Sequence, residues 1–191
     1  MYAQRIDQDL YRVLIPFQDL TTTVYIAVYN EGTAIIDSGT YPSDVDEYIL
    51  PALTELGVAD TVRYLLLTHH HSDHAGGFAR LSECFPQAES SLPEGLEAIS
   101  LPGHTADAVG YLDHRSDTLL SGDCLQLRGI GKYRNGIGDK MAYIHSVETL
   151  KKRAIKRIVA AHEYDPLGSL AEGEKAVREY LDLCIEIAKE Q

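Results

Sequence analysis

The chain has few cations, few cysteines and no long apolar run. Lys and Arg number 17 against 29 Asp and Glu, a formal net charge of −12 over 191 residues. That balance repels phosphate backbones and excludes general nucleic-acid binding unless a strong local basic patch exists. No stretch approaches the length of a membrane span. Met1-Tyr2-Ala3-Gln4-Arg5-Ile6-Asp7 does not read as a signal peptide, so a cytoplasmic protein with no membrane partner is expected. The three cysteines, Cys84, Cys124 and Cys184, form no Cys-x-x-Cys. A disulfide framework is therefore not expected, and all three read as reduced core residues. No Gly-x-Gly-x-x-Gly or Walker pattern occurs, so no nucleotide cradle is read. The length suits one sizeable domain over residues 1–191. Hydrophobic content of 45% and charged content of 24% are ordinary for a globular chain.

What the chain does have is a concentration of histidine. Four of its eight His fall within Thr68-His69-His70-His71-Ser72-Asp73-His74-Ala75-Gly76-Gly77. The window follows an apolar β-type run, Val62 to Leu67. If the chain stays extended past Leu67, His69, His71 and Asp73 project to one side and His70 and Ser72 to the other. His70 then reads as a packing residue or one that supports the ligands, rather than a catalytic one. His74 is expected to open a helix running to about Cys84, and Gly76-Gly77 to let backbone pack closely under the cluster. Imidazole suits zinc, iron and other transition metals, and carboxylate tolerates harder ions, so the window is a candidate metal site.

His69-x-His71-x-Asp73-His74 after a buried strand resembles the signature of the metallo-β-lactamase-fold hydrolases. Three downstream elements match that family in order: Leu101-Pro102-Gly103-His104-Thr105, Ser121-Gly122-Asp123 and Ala161-His162-Glu163-Tyr164. The resemblance spans about residues 20–165 and implies an α/β fold, a four-layer αβ/βα sandwich. It also implies that His69, His71 and His104 hold one divalent metal, that Asp73, His74 and His162 hold a second, and that Asp123 bridges them. Zinc is the first expectation for both ions, with iron or manganese as alternatives. Asp37 is read two ways, as a residue supporting the metals in the family or as a turn-forming Asp. The His162-Glu163-Tyr164 form resembles glyoxalase II relatives in particular, without their helical substrate domain, since 29 residues follow His162.

Elsewhere the pattern predicts strands at Leu10 to Ile15 (stopped by Pro16), Thr23 to Tyr29 and Thr33 to Ile36, the last two joined by an Asn30-Glu31-Gly32 turn. A helix is predicted over Ser43 to Leu56, capped by Ser43 and stopped by Gly57. Strands follow at Leu96 to Leu101, Val109 to Asp113, Thr118 to Leu120 and Arg157 to Ala161. Helices are predicted at Ser146 to Ile155 and Leu170 to Lys189. In the last of these Ala176, Tyr180, Leu181, Cys184 and Ala188 form an apolar stripe read as core, with a dimer face as the lesser alternative. Monomer and homodimer both stay open. His114, His145 and the basic run Lys151 to Arg157 read as solvated.

The segment Arg128 to Gly138 carries four glycines and three cations, Arg128, Lys132 and Arg134. It is expected to be a lid that binds an anionic part of the substrate, with Tyr133 or Tyr143 shaping the pocket; a solvated glycine loop is the alternative. Two metals about 3.5–4 Å apart can share a hydroxide that attacks an electrophilic carbonyl or phosphorus. Asp73 is placed to orient it and pass its proton on. The expected protein is thus a dinuclear metal hydrolase acting on a small thioester or lactone. The alternatives are a phosphodiesterase on a small phosphorylated substrate, an iron-dependent oxidative enzyme of the same fold such as the persulfide dioxygenase relatives, and a non-catalytic module stabilised by metal.

Overall fold

The computed structural model describes residues 1–128 and 136–191. The chain forms two compact units, Met1–Glu94 and Gly95–Gln191.

In unit one, β1 (Ala3–Asp7), β2 (Leu10–Phe17), β3 (Leu20–Tyr29), β4 (Gly32–Ile36) and β5 (Val62–Leu66) form one sheet in that order. All neighbours are antiparallel except β4 and β5. Parallel neighbours need a crossover. Here α1 (Pro42–Asp44) runs through a π-helical turn (Val45–Ile49) into α2 (Leu50–Leu56). β3 runs through Val24, Tyr25, Ile26 and Ala27, all buried, as a central strand covered on both faces would. Val13, Ile15, Val24, Ile26 and Ile35 pack on Val45, Ile49, Ala52 and Leu53 of the crossover. Each Val, Leu or Ile among them contributes about 1.5–3 kcal/mol on burial.

Two boundaries in this unit differ from expectation. β2 continues through Pro16, because β1 pairs with β2 only as far as Val13, so the missing N–H costs no bond to β1. Ser43 lies inside α1 and does not cap it. Tyr41 is the N-cap, and Asp44 in the first turn reaches back, its Oδ2 accepting the amides of Thr40 (2.8 Å) and Tyr41 (2.9 Å). Gly57 does stop α2, in the left-handed region at φ 70°.

In unit two the sheet order is β10 (Leu170–Glu172), β9 (Arg157–Ala160), β8 (Thr118–Gly122), β7 (Val109–Asp113), β6 (Leu96–Ser100). Only β8 and β9 are parallel, joined by a crossover containing α5 (Lys140–Leu150). That helix begins six residues before the predicted Ser146, because the Asp139 carboxylate accepts the Ala142 amide (3.0 Å) and caps it there. The predicted terminal helix is divided. Leu170–Glu172 pairs with β9, and α6 spans Glu174–Glu190. On α6, Val177, Tyr180, Leu181, Cys184, Ile185 and Ala188 are buried in the unit's core, as the stripe implies. Cys124 and Cys184 are buried free thiols, whereas Cys84 is half-buried. No helix among the described residues is long and apolar enough to cross a membrane.

Candidate metal centre

Each unit carries part of the predicted ligand set at the carboxyl ends of its parallel strands. In unit one β5 ends at Leu66, and the chain reaches His71 before a short helix, α3 (Ser72–Ala75), begins. Asp73 therefore sits on a helical turn, not on extended chain, which corrects the alternation expected of it. The predicted helix from His74 to Cys84 is two helices, α3 and α4 (Phe78–Cys84). Gly76 lies at the break between them. A side chain there would run into the carbonyl oxygens of Thr40 and Ser72, so close backbone approach requires glycine.

The result is a tight group within unit one. The rings of His69 and His71 lie 4.7 Å apart edge to face, and those of His69 and His74 lie 4.2 Å apart. The Asp73 Oδ2 is 3.4 Å from His74 Nε2. His69 and His74 are buried, Asp73 is half-buried, and His71 is exposed. His70 is also exposed, which does not match the packing role predicted for it.

Beneath the group sits Asp37, fully buried at the end of β4. The parallel pairing of β4 with β5 puts it beside Thr68, and its own amide donates to Leu66 O (2.9 Å). Asp37 Oδ1 accepts the Thr68 amide at 2.7 Å, and Oδ2 accepts the Thr68 hydroxyl at 2.8 Å. Oδ2 is also 2.8 Å from His74 Nδ1. Of the two readings of Asp37, the structure supports the one in which it braces a ligand. A carboxylate at Nδ1 holds the proton there and leaves the lone pair on Nε2, the tautomer a metal needs. Thr68 Oγ1 lies 3.1 Å from His69 Nδ1 and directs that ring in the same sense. The backbone carbonyl of His74 is fixed as well, accepting both the amide and the hydroxyl of Ser38 at 2.7 Å.

In unit two Asp123 follows β8, His162 follows β9, and His104 lies in the turn after β6. The two oxygens of Asp123 face different imidazoles: Oδ1 is 3.3 Å from His162 Nε2, and Oδ2 is 3.5 Å from His104 Nε2. All three side chains are more than nine-tenths buried. His104 Nδ1 is 2.5 Å from the Gly136 carbonyl and 3.0 Å from the Gln126 amide nitrogen, and Gln126 Oε1 accepts the Gly136 amide at 2.6 Å. With its Nδ1 proton on Gly136 O, His104 too presents Nε2 as a lone-pair donor.

Two participants carried no assigned role at the level of sequence. Gln126 had no motif to mark it. Tyr164 stood inside the His162-Glu163-Tyr164 element, and its hydroxyl donates to Asp123 Oδ1 at 3.1 Å. Burial, then the neighbouring Asp123 charge, push the Tyr164 phenol well above its usual pKa, so it stays a donor.

The substrate residues fare differently. Tyr143 is not placed as a pocket wall. It is buried in the core, where its hydroxyl donates to Gln126 O (2.9 Å) and accepts from Gln126 N (2.8 Å). Arg128 is exposed and pairs with Glu190 at 2.8 Å. Lys132, Tyr133 and Arg134 lie outside the described residues.

As a donor set these residues fit divalent metal. The imidazoles of His69, His74 and His104 have Nδ1 engaged, and carboxylates stand next to the set, the combination borderline ions such as zinc take.

Comparison with known proteins agrees. The family model of the metallo-beta-lactamase superfamily matches residues 18–89. A hydroxyacylglutathione hydrolase of Albidiferax ferrireducens is 31% identical over 176 residues, covering 79% of this chain and 66% of that protein. One from Shewanella loihica is 34% identical over 127 residues, covering 52% of this chain and 47% of that protein. The chain thus spans about half to two-thirds of the length of these relatives. A solved metallo-beta-lactamase from Pontibacter korlensis superposes with a TM-score of 0.74 over 99% of both chains at 18% identity, which shows the fold class expected from the sequence. The chain belongs to the metallo-β-lactamase-fold superfamily, with a relationship to the glyoxalase II type of hydroxyacylglutathione hydrolase.

Proposed function

We propose that this protein is a metal-dependent hydrolase of a small thioester. In this reading His69, His71 and His104 would hold one divalent ion and Asp73, His74 and His162 a second, with Asp123 available to both. The observation that carries it is the brace under unit one: a fully buried Asp37 spends both oxygens on Thr68 and on the Nδ1 side of His74. A buried carboxylate so committed has little purpose in a turn, and every purpose in fixing an imidazole for metal.

When bound, a metal pair supplies an activated water near neutral pH and polarises the carbonyl that it attacks. The remaining work falls to the side chains. Asp73, half-buried beside His74 Nε2, accepts the proton lost by the attacking water. Asp37 and Thr68 keep His74 and His69 from turning while charge builds. The Gly136 carbonyl does the same for His104, and Gln126 holds Gly136 by accepting its amide.

The leaving group supports a thioester over an oxygen ester. A thiol has an ordinary pKa of about 8.5 and departs as thiolate without an acid. The Tyr164 hydroxyl is already engaged as a donor to Asp123, so a leaving group that needs no proton beyond the one Asp73 takes from water suits these residues. The names of the relatives point the same way.

The test is metal analysis of the purified protein. Assays on a glutathione thioester, the oxygen ester of the same acyl group, a lactone, a phosphodiester and a β-lactam then follow. Thioester turnover that chelator abolishes and zinc restores is expected. Faster turnover of the oxygen ester, or iron with oxygen uptake, would overturn the reading.

A further inference from the structure

We propose that Tyr164 makes the two metal positions unequal by occupying one oxygen of Asp123. The inference rests on the metal assignment above. Tyr164 is buried and touches two candidate ligands at once. Its ring stands edge-on to the His162 imidazole, with centroids 5.9 Å apart and planes at 89°. Its hydroxyl donates to Asp123 Oδ1 at 3.1 Å.

The choice of oxygen matters. Oδ1 is the atom facing His162, and Oδ2 the atom facing His104. The hydroxyl therefore fixes the carboxylate's rotation from the His162 side only. One lone pair of Oδ1 is taken by the phenol, while Oδ2 has no bond to Tyr164. The two oxygens of the carboxylate are thereby made different with respect to Tyr164: Oδ1 carries the phenol's hydrogen bond and Oδ2 does not. Tyr164 is a positioning residue, acting through Asp123 and His162. Support from outside the ligand shell of this kind is typically worth about 10–100-fold in metal affinity.

Tyr164→Phe keeps the ring against His162 and removes only the hydroxyl. Tyr180→Phe is the matched control: Tyr180 is buried in the same core, and its hydroxyl goes to the Gly168 carbonyl (3.2 Å), not to a ligand. Zinc and cobalt(II) titrations of the full chain, followed by competition with a chelating dye and by the cobalt d–d spectrum, resolve the two equivalents. In the wild type and in Tyr180→Phe, two equivalents are expected with the same affinities. In Tyr164→Phe one equivalent weakens by about 10–100-fold, while the other moves less than about threefold. Weakening of both alike, or of neither, overturns the proposal. A wild-type chain that takes up fewer than two equivalents overturns the metal assignment itself, and this inference with it. A second measurement needs no variant. In the wild type the ring-carbon resonance of ¹³C-labelled Tyr164 should shift with one equivalent of zinc and not the other; equal shifts with both contradict the asymmetry.

Discussion

Replacing Asp37 with Asn is the sharpest probe of the ligand scaffold. Asp37 stands at φ 67°, a backbone region in which Asn is well tolerated, so the substitution adds no conformational strain. Shape is also kept; only charge and one acceptor change. The Asn carbonyl can still accept the Thr68 amide, now at 2.7 Å from Asp37 Oδ1. Its NH₂ group must then face His74 Nδ1, where Oδ2 now lies at 2.8 Å. Two donors cannot share that space, so the imidazole proton moves to Nε2 and the metal-facing lone pair is lost. Hydrogen bonds to a charged partner contribute about 1.5–3 kcal/mol and neutral ones about 1 kcal/mol, so the metal-free protein should lose about 1–2 kcal/mol. At about 2–4 °C per kcal/mol for a chain of this size, Tm falls by a few degrees. Zinc affinity should fall further, by about 10–100-fold. Competition with a chelating dye measures that fall, and ¹⁵N shifts of the histidine rings report the tautomer. Unchanged zinc affinity together with a proton still on His74 Nδ1 would refute the reasoning.

Other expectations follow from packing, titration and charge. Gly76→Ala forces a methyl onto the Thr40 and Ser72 carbonyls and should cost about 1–3 kcal/mol, read as a lower guanidinium midpoint. The Cys184 thiol is pushed up from 9.0 to about 12 by burial. The unfolded chain therefore loses that proton first, and folding stability should fall by roughly 1 kcal/mol per pH unit as pH rises from about 9 toward 12. Cys184→Ala should remove the onset near pH 9 and leave the steeper loss above pH 10, where burial raises Tyr143, Tyr164 and Tyr180; denaturant melts across that range decide it. Neutralising Arg128, Lys132 and Arg134 together to Gln should raise KM for an anionic thioester, and an unchanged KM on every substrate would dispose of the anion-binding role of this segment.

Much of this was legible in the order of residues, because the signals are local. Strands such as Val109–Asp113 declare themselves by short apolar runs between turns, and α6 by an apolar spacing of three and four. The ligand candidates were legible because three histidines and an aspartate within six positions form a metal-type donor set, and because three further motifs follow in the family's order. What a one-dimensional pattern cannot carry is the partner of a polar group. Asp37 and His74 are separated by 37 positions and joined only by the parallel pairing of β4 with β5. Tyr164 and Asp123 are separated by 41 and meet through the parallel pairing of β8 with β9. The same holds for the element ends that moved. α5 starts at Lys140 because Asp139 caps it, with the Asp139 amide bound to the Gly103 carbonyl. Leu170–Glu172 is strand because β9 has an open edge to offer it. Composition and spacing chose which side chains could bind metal and how the chain divides into strands and helices. Long-range pairing decided which nitrogen of His74 and of His104 faces a hydrogen-bond partner, and which oxygen of Asp123 the Tyr164 hydroxyl engages, because hydrogen bonds act through distance in space and take no account of distance along the chain.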